Sequence, residues 1–156
     1  MKEIPLTQGK VALVDDEDYD YLMQWKWCAT KDYNTYYANR EGSVKEDNKK
    51  FIMHRVIMNT PDNMVVDHID HNGLNNQKSN MRNCSPKENS RNMRPRGKTG
   101  YLGVCYDRKY IKACIKIRGK NRHLGNYKTE EEAARAYDKV AKEYYGEFAN
   151  LNFKEL

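Results

Sequence analysis

An aspartate and a histidine stand side by side at the end of a short apolar run, Val65-Val66-Asp67-His68, and two asparagines, Asn80 and Asn89, follow in the same stretch. These residue types suit hydrolysis of a phosphodiester, which needs an activated water, a cation on the non-bridging and leaving oxygens, and a frame that holds them in line. His68 is suited to take the proton from water, because an unperturbed imidazole titrates near ~6.5 and its neutral form is available at cellular pH. Asp67 and Asn89 offer hard oxygen donors, which match Mg²⁺ or Mn²⁺ better than a soft metal. Asn80 can either orient the imidazole or pin the intervening loop through its side-chain amide. A lone Asp-His on a strand is most often structural. The set of four, in the setting described next, points to catalysis.

That setting is a hairpin and a capped helix. Val65-Val66 reads as the end of a strand, and His71-Asn72-Gly73-Leu74-Asn75-Asn76 supplies the turn formers that break it. Ser85-Pro86-Lys87-Glu88 is a helix start, with Ser at the N-cap, Pro where its missing N–H costs nothing, and Glu three residues after the cap. Upstream, Lys10 to Val14 predicts a strand and Asp15-Asp16-Glu17-Asp18 the acidic opening of a short helix to about Trp25. Trp25 to Ala29 and Tyr36 to Arg40 predict two further strands, and Phe51 to Met58 carries apolar residues into the Asp-His stretch. Downstream, Arg91 to Thr99 is basic, contains Pro and Gly, and lacks periodicity, so it reads as a linker able to lie along phosphates.

Beyond it, Ile111 to Arg118 alternates without exception. Ile111, Ala113, Ile115 and Ile117 share one face; Lys112, Cys114, Lys116 and Arg118 share the other. Gly119-Lys120 predicts a turn into a second strand, Asn121 to Tyr127, and Gly103 to Tyr106 offers a third. A capping box from Thr129 to Glu132 opens a helix whose apolar face is Ala133, Tyr137, Val140, Ala141 and Tyr144, with Gly146 at its stop. The fold class expected is therefore α+β: a small N-terminal α/β unit with a hairpin-and-helix core, then a three-stranded antiparallel sheet packed on one helix.

Composition bounds the partners. The net charge is +6 and the pI near 9.0, and the distribution is uneven: Arg91 to Lys128 holds twelve Lys/Arg against one acid, Asp107, whereas Met1 to Thr60 holds nine against ten. A polyanion is thus favoured as partner of the C-terminal half. Cys28, Cys84, Cys105 and Cys114 form no C-x-x-C pair, so neither a zinc ribbon nor a disulfide framework is indicated and free thiols are expected. No apolar run reaches the length of a membrane span and no signal-peptide core opens the chain, so a soluble intracellular protein without membrane association is expected.

Asp67-His68-Ile69-Asp70, Leu74-Asn75-Asn76, Ser79-Asn80-Met81-Arg82 and Pro86-Lys87-Glu88-Asn89 together resemble the HNH endonuclease family, in particular its phage and intron-encoded homing type. The resemblance implies a ββα-metal fold with one divalent cation, His68 as general base, Asp67 and Asn89 as metal ligands, and Asn80 as support for the histidine. The last motif position is Asn89 rather than His, which keeps an oxygen ligand. His54-Arg55 resembles an upstream His-Arg of the family and receives no catalytic role. Gly103-Val104, Ala113-Cys114-Ile115, Gly119-Lys120, Leu124-Gly125, Glu131 to Asp138, Gly146 and Leu151-Asn152-Phe153 resemble the plant ethylene-response-factor (Apetala-type) DNA-binding domain, which lays its sheet in the major groove. Several Arg and Trp positions of that domain are Leu102, Cys105, Ile111 and His123 here, so its target sequence is not carried over.

The expected organisation is an HNH nuclease domain over 1–90 with its ββα-metal core at 64–92, a basic linker at 91–99, and an ethylene-response-factor-type domain at 100–154. Double-stranded DNA is the expected partner, contacted by Arg91, Arg94, Arg96 and Lys98 of the linker and Lys112, Lys116, Arg118 and His123 of the sheet. One divalent cation, Mg²⁺ or Mn²⁺, is the expected cofactor, the assembly a monomer or weak dimer, and the compartment the cytoplasm of a bacterial or phage-infected cell. The competing reading is a DNA-binding transcriptional regulator with a vestigial HNH core. An RNA-directed protein is a weaker third, because A-form RNA closes off the groove that a sheet would enter.

Overall fold

The computed structural model of the chain describes residues 1–95 and 98–153. It forms two compact units, Met1–Asn89 and Ser90–Leu156.

In the first unit β1 (Lys2–Pro5) pairs antiparallel with β2 (Val11–Val14). β1 was not expected, since Ile4 is the single deeply buried residue of an otherwise exposed strand and leaves little pattern to read. α1 (Asp16–Leu22) opens on Asp16, Glu17 and Asp18, as the charge run predicts, and stops three residues before Trp25. β3 (Cys28–Asp32), β4 (Thr35–Glu41) and β5 (Lys50–Ile52) form an antiparallel sheet with β4 in the middle. The apolar run from Phe51 to Met58 is divided between two elements. Phe51 and Ile52 finish the sheet opposite Arg40 and Asn39, and Met53 begins α2 (Met53–Ile57) with its own side chain fully buried. Ile4, Val14, Leu22, Trp27 and Met53 belong to one core. Arg40 is buried beside it, its guanidinium 4.5 Å from the Trp25 ring centre and 4.1 Å from that of Phe51, and is neutralised by both carboxylate oxygens of Glu46.

β6 (Val65–His68) and β7 (Met81–Cys84) form a separate antiparallel hairpin, and α3 (Pro86–Asn89) packs against both. The Ser85–Glu88 capping box forms as expected: Glu88 Oε2 accepts from the Ser85 amide at 2.9 Å and from its hydroxyl at 2.7 Å, while the Glu88 amide donates to Ser85 Oγ.

The second unit contains β8 (Val104–Asp107), β9 (Tyr110–Ile117) and β10 (Lys120–Tyr127) in an antiparallel sheet centred on β9, with α4 (Glu130–Tyr145) against one face. The alternation of β9 is realised, with Ala113, Ile115 and Ile117 buried. The turn differs by one residue from expectation. Ile117 pairs with Lys120, so Arg118 and Gly119 form a two-residue turn with φ of 51° and 80°, the twist-compatible type I′ geometry. Arg118 therefore leaves the sheet face on which its alternation had placed it. On α4, Ala133, Ala134, Tyr137 and Ala141 are buried, and Tyr145 rather than Tyr144 joins the core, Tyr144 being 47% exposed. The helical repeat of 3.6 brings Tyr144 nearer the buried stripe than Tyr145, so periodicity does not account for the exchange; Tyr145 is held against the sheet by its hydroxyl, which donates to the Lys116 carbonyl.

Candidate nuclease site and basic sheet

Asp67 and His68 occupy consecutive positions of β6 and, as strand geometry requires, turn to different neighbours. Asp67 is 4% exposed and lies directly across from Arg82 on β7, whose Nε and an amino nitrogen both donate to Asp67 Oδ2 at 2.9 and 2.7 Å. His68 is also buried and turns toward an aromatic group: its ring centre is 5.1 Å from that of His54, edge to face, and 5.8 Å from that of Tyr37. Tyr37 and His54 in turn stand 5.2 Å apart.

The imidazole hydrogen bond fixes its tautomer. Asn76 is fully buried, and its Nδ2 is directed at Met53 Sδ, 3.5 Å away, which leaves Asn76 Oδ1 facing His68 Nε2 at 3.1 Å. An amide oxygen accepts only, so Nε2 carries the proton and Nδ1 holds the basic lone pair. Burial is the main influence on His68 and lowers its pKa, against the opposing pull of the Asn76 bond and of Asp70 and Asp67. His54 is pushed further, to about 3, by burial and then by His68 and Arg55. Both rings are therefore neutral at cellular pH.

Asn80 does not reach the histidine. Its Oδ1 accepts from the Asp70 amide at 3.1 Å, and its Nδ2 donates to Asp70 Oδ1 and to the Asn75 carbonyl, each at 2.9 Å. Of the two roles open to it from its chemistry, pinning the loop is the one observed; the bracing role implied by family resemblance is filled by Asn76. The reason is topological. The backbone of Leu74 to Asn76 zips onto β2 through Leu13, which buries Asn76 beneath the imidazole. Asp70 is the hub of the loop: burial raises its pKa, but the Asn72 amide and the side chains of Asn75 and Asn80 outweigh this and hold it low.

Asn89, at the end of α3, lines an open cleft of about 490 Å³ together with Val65, Val66, His54 and Arg55 on one side and residues of β3, β4 and β5 on the other. Arg55 is structural there: its guanidinium donates to the carbonyls of Thr60, Pro61 and Met64 and so fixes the loop before β6. Among the described residues no group of three or more His, Cys, Asp or Glu is gathered as a metal cage. Asp67 and Asn89 lie on β6 and α3, elements that pack directly, and one carboxylate with one amide oxygen is a hard, sparse donor set whose chemistry fits a largely hydrated Mg²⁺ or Mn²⁺. Because Arg82 holds Oδ2, a cation bound by Asp67 would share that carboxylate with the arginine or displace it.

In the second unit Lys116 and His123 are exposed on the sheet, His123 with Nε2 3.1 Å from Asn126 Oδ1, whereas Lys112 is partly buried and ion-paired with Asp107. Arg91, expected in a linker, places its guanidinium 4.9 Å from the ring centre of Tyr145, and Asn150 Nδ2 donates to the Met93 carbonyl at 2.6 Å. The start of that basic segment is thus folded onto its own unit. Arg94 and Lys98 are exposed, and Arg96 lies outside the described residues.

A buried histidine held by a buried asparagine thus stands beside a carboxylate on a hairpin closed by a short helix, in a mixed α/β protein. The chain is 35% identical over 133 residues, 81% of its own length and 71% of the relative's, to an uncharacterised HNH endonuclease of Acanthamoeba polyphaga mimivirus. It belongs to the HNH endonuclease family. No family model matches the chain.

Proposed function

We propose that the protein is a metal-dependent, sequence-tolerant DNA endonuclease of the homing type that hydrolyses phosphodiester bonds in double-stranded DNA. The observation that carries this reading is the His68–Asn76 bond, which presents a neutral imidazole with Nδ1 as the basic nitrogen. Nδ1 takes a proton from the attacking water, and Asn76 holds the ring so that the lone pair keeps its direction. Asp67 and Asn89 would hold the divalent cation, which when bound supplies charge neutralisation at the scissile phosphate and the leaving oxygen. Asn80 keeps the loop under the site closed. The basic face of the C-terminal sheet, with Lys116 and His123 at its surface and the Arg118 turn at its end, holds the duplex in the manner suggested by its likeness to ethylene-response-factor domains, assisted by Lys112 and the Arg91-to-Lys98 segment.

Purified protein with supercoiled plasmid and Mg²⁺ or Mn²⁺ is expected to give nicked or linear DNA, and His68→Ala to lower the rate by about 10²- to 10⁴-fold. Cleavage that persists in His68→Ala would remove the assigned base. One observation favours a second reading, a DNA-binding regulator with a vestigial core: the Asp67–Arg82 ion pair gives Asp67 a structural occupation. A parent protein that binds DNA but cuts with neither metal would decide for that reading.

A further inference from the structure

Of the upstream pair His54-Arg55, the arginine is committed to three carbonyls and the histidine has no assigned task. His54 stands in the first turn of α2, one residue after Met53, whose side chain is sealed in the core. Its ring closes a triangle with those of Tyr37 and His68, edge to face with both, at 5.2 and 5.1 Å between ring centres. Tyr37 belongs to the outer face of the β3–β4–β5 sheet, with Thr30 and Asn39, opposite the buried Ala29 and Ala38. Gly73 of the β6–β7 loop packs against it, since a Cβ there would come within 2.5 Å of the Tyr37 ring, and the Gly73 amide donates to Thr35 Oγ1 at the start of β4. Sheet and loop together thereby hold the ring on which His54 leans.

Such packing needs only a flat ring, which a phenylalanine would supply. An imidazole adds an N–H and a lone pair. Among the described residues the His54 side chain has no hydrogen-bond partner, whereas His68 has Asn76 and His123 has Asn126. A polar ring set in a wall costs stability unless something outside the wall completes it. His54 lines the cleft that also holds Asn89, and it is less deeply buried than His68. Its unpartnered nitrogens therefore belong to the side from which substrate arrives. Distance favours one substrate group. A base within about 3 Å of a water that lies about 3 to 3.5 Å from phosphorus has that phosphate within roughly 6 Å. A ring centred 5.1 Å from His68 is within reach of the same phosphate's oxygens. Burial, then His68 and Arg55, push His54 down to about 3, so the ring is neutral and can donate to phosphate without repelling a divalent cation.

We propose that His54 is a substrate-contacting residue whose ring N–H donates to a non-bridging oxygen of the scissile phosphate. The inference rests on the nuclease reading for which phosphate is held. Two substitutions separate this role from packing. His54→Phe keeps a flat ring against Tyr37 and His68 and removes the donor, whereas His54→Gln gives up the ring and keeps an N–H. With His54 as donor, His54→Phe should lower kcat about 10²-fold while melting near the parent's temperature. His54→Gln should cut faster than His54→Phe although it melts lower. The opposite order, with Phe near the parent and Gln impaired, marks a packing ring and overturns the proposal. A second measurement needs no cleavage. In EDTA, a short duplex added to nitrogen-15-labelled full-length protein should shift the His54 imidazole signals, assigned by their absence from His54→Phe. Signals that stay in place at saturating duplex also overturn the proposal. The two readings fail separately. A parent that shows the shift but cuts with neither metal keeps His54 as a DNA contact and loses the nuclease reading. A parent that cuts, with His54→Phe cutting equally well, keeps the nuclease reading and loses the contact.

Discussion

Asn76 is a fully buried side chain whose amide serves one ring nitrogen and one thioether, and this arrangement sets the chemistry of His68. Replacing it with Ala leaves a buried N–H unsatisfied and lets the imidazole choose its tautomer. We expect Asn76→Ala to lose about 1–3 kcal/mol of stability in urea titrations and at least tenfold in cleavage rate, with the Nε2–H signal of His68 in nitrogen-15 spectra weakened. Retention of the tautomer in that variant would sink the positioning role. A second residue-scale prediction concerns Glu46. The two hydrogen bonds from Arg40 are the main cause, with the Ser43 amide next, that lower its carboxyl from an ordinary 4.5 to about 2. A depressed folded-state pKa means stability that is fully present above pH 4.5 and is lost as the pH falls through about 2. Melting temperature followed from pH 5 to pH 2 should therefore fall less steeply in Glu46→Gln than in the parent, from a lower starting value.

At the scale of elements, the C-terminal sheet depends on two glycines for different reasons. Gly103 has φ +70°, and a Cβ built on it would lie 2.0 Å from Tyr137 Cδ2 and 2.5 Å from the Cys114 carbonyl oxygen. Gly119, at φ +80° in the β9–β10 turn, meets nothing within 4 Å. Gly103→Ala should thus cost at least about 2 kcal/mol, backbone strain and overpacking together, whereas Gly119→Ala should cost about 1 kcal/mol from the backbone alone. Thermal melts of the two variants would test the order; a larger loss at Gly119 would contradict the packing of Tyr137 against the strand. The alternation of β9 and the capping boxes at Ser85 and Thr129 were readable because they are local: a period of two and a three-residue spacing need no distant partner. The division of Phe51 to Met58 between strand and helix was not readable, because an apolar run lacks a period and only pairing with Asn39 and Arg40 makes Ile52 and Phe51 strand.

For the molecule as a whole, the +6 charge and its concentration in the C-terminal half make DNA affinity a strongly salt-dependent quantity. If six phosphates are contacted, binding in EDTA should weaken by about 10³-fold between 50 and 200 mM salt. Chelation should abolish cleavage while leaving this binding in place. A protein whose affinity is flat across that range would refute phosphate contact as its main source of affinity. Among the described residues no helix is long and apolar enough to cross a membrane.

The sequence by itself determined most of the elements and gathered the candidate groups into one stretch. Asp67, His68, Asn80 and Asn89 could be named because their chemistry and spacing are local, and the basic sheet because alternation is written along one strand. Tertiary structure decided which groups meet. It put Asn76 under the imidazole, because the loop pairs with β2 some sixty residues earlier in the chain. It tied Asp67 to Arg82 across the hairpin, set Arg91 against Tyr145, and turned the outer face of the N-terminal sheet toward Asn89 and His54. Contacts of this kind depend on how separate elements pack, and residue types along a chain do not record which of several similar asparagines or arginines will lie within hydrogen-bonding distance when they do.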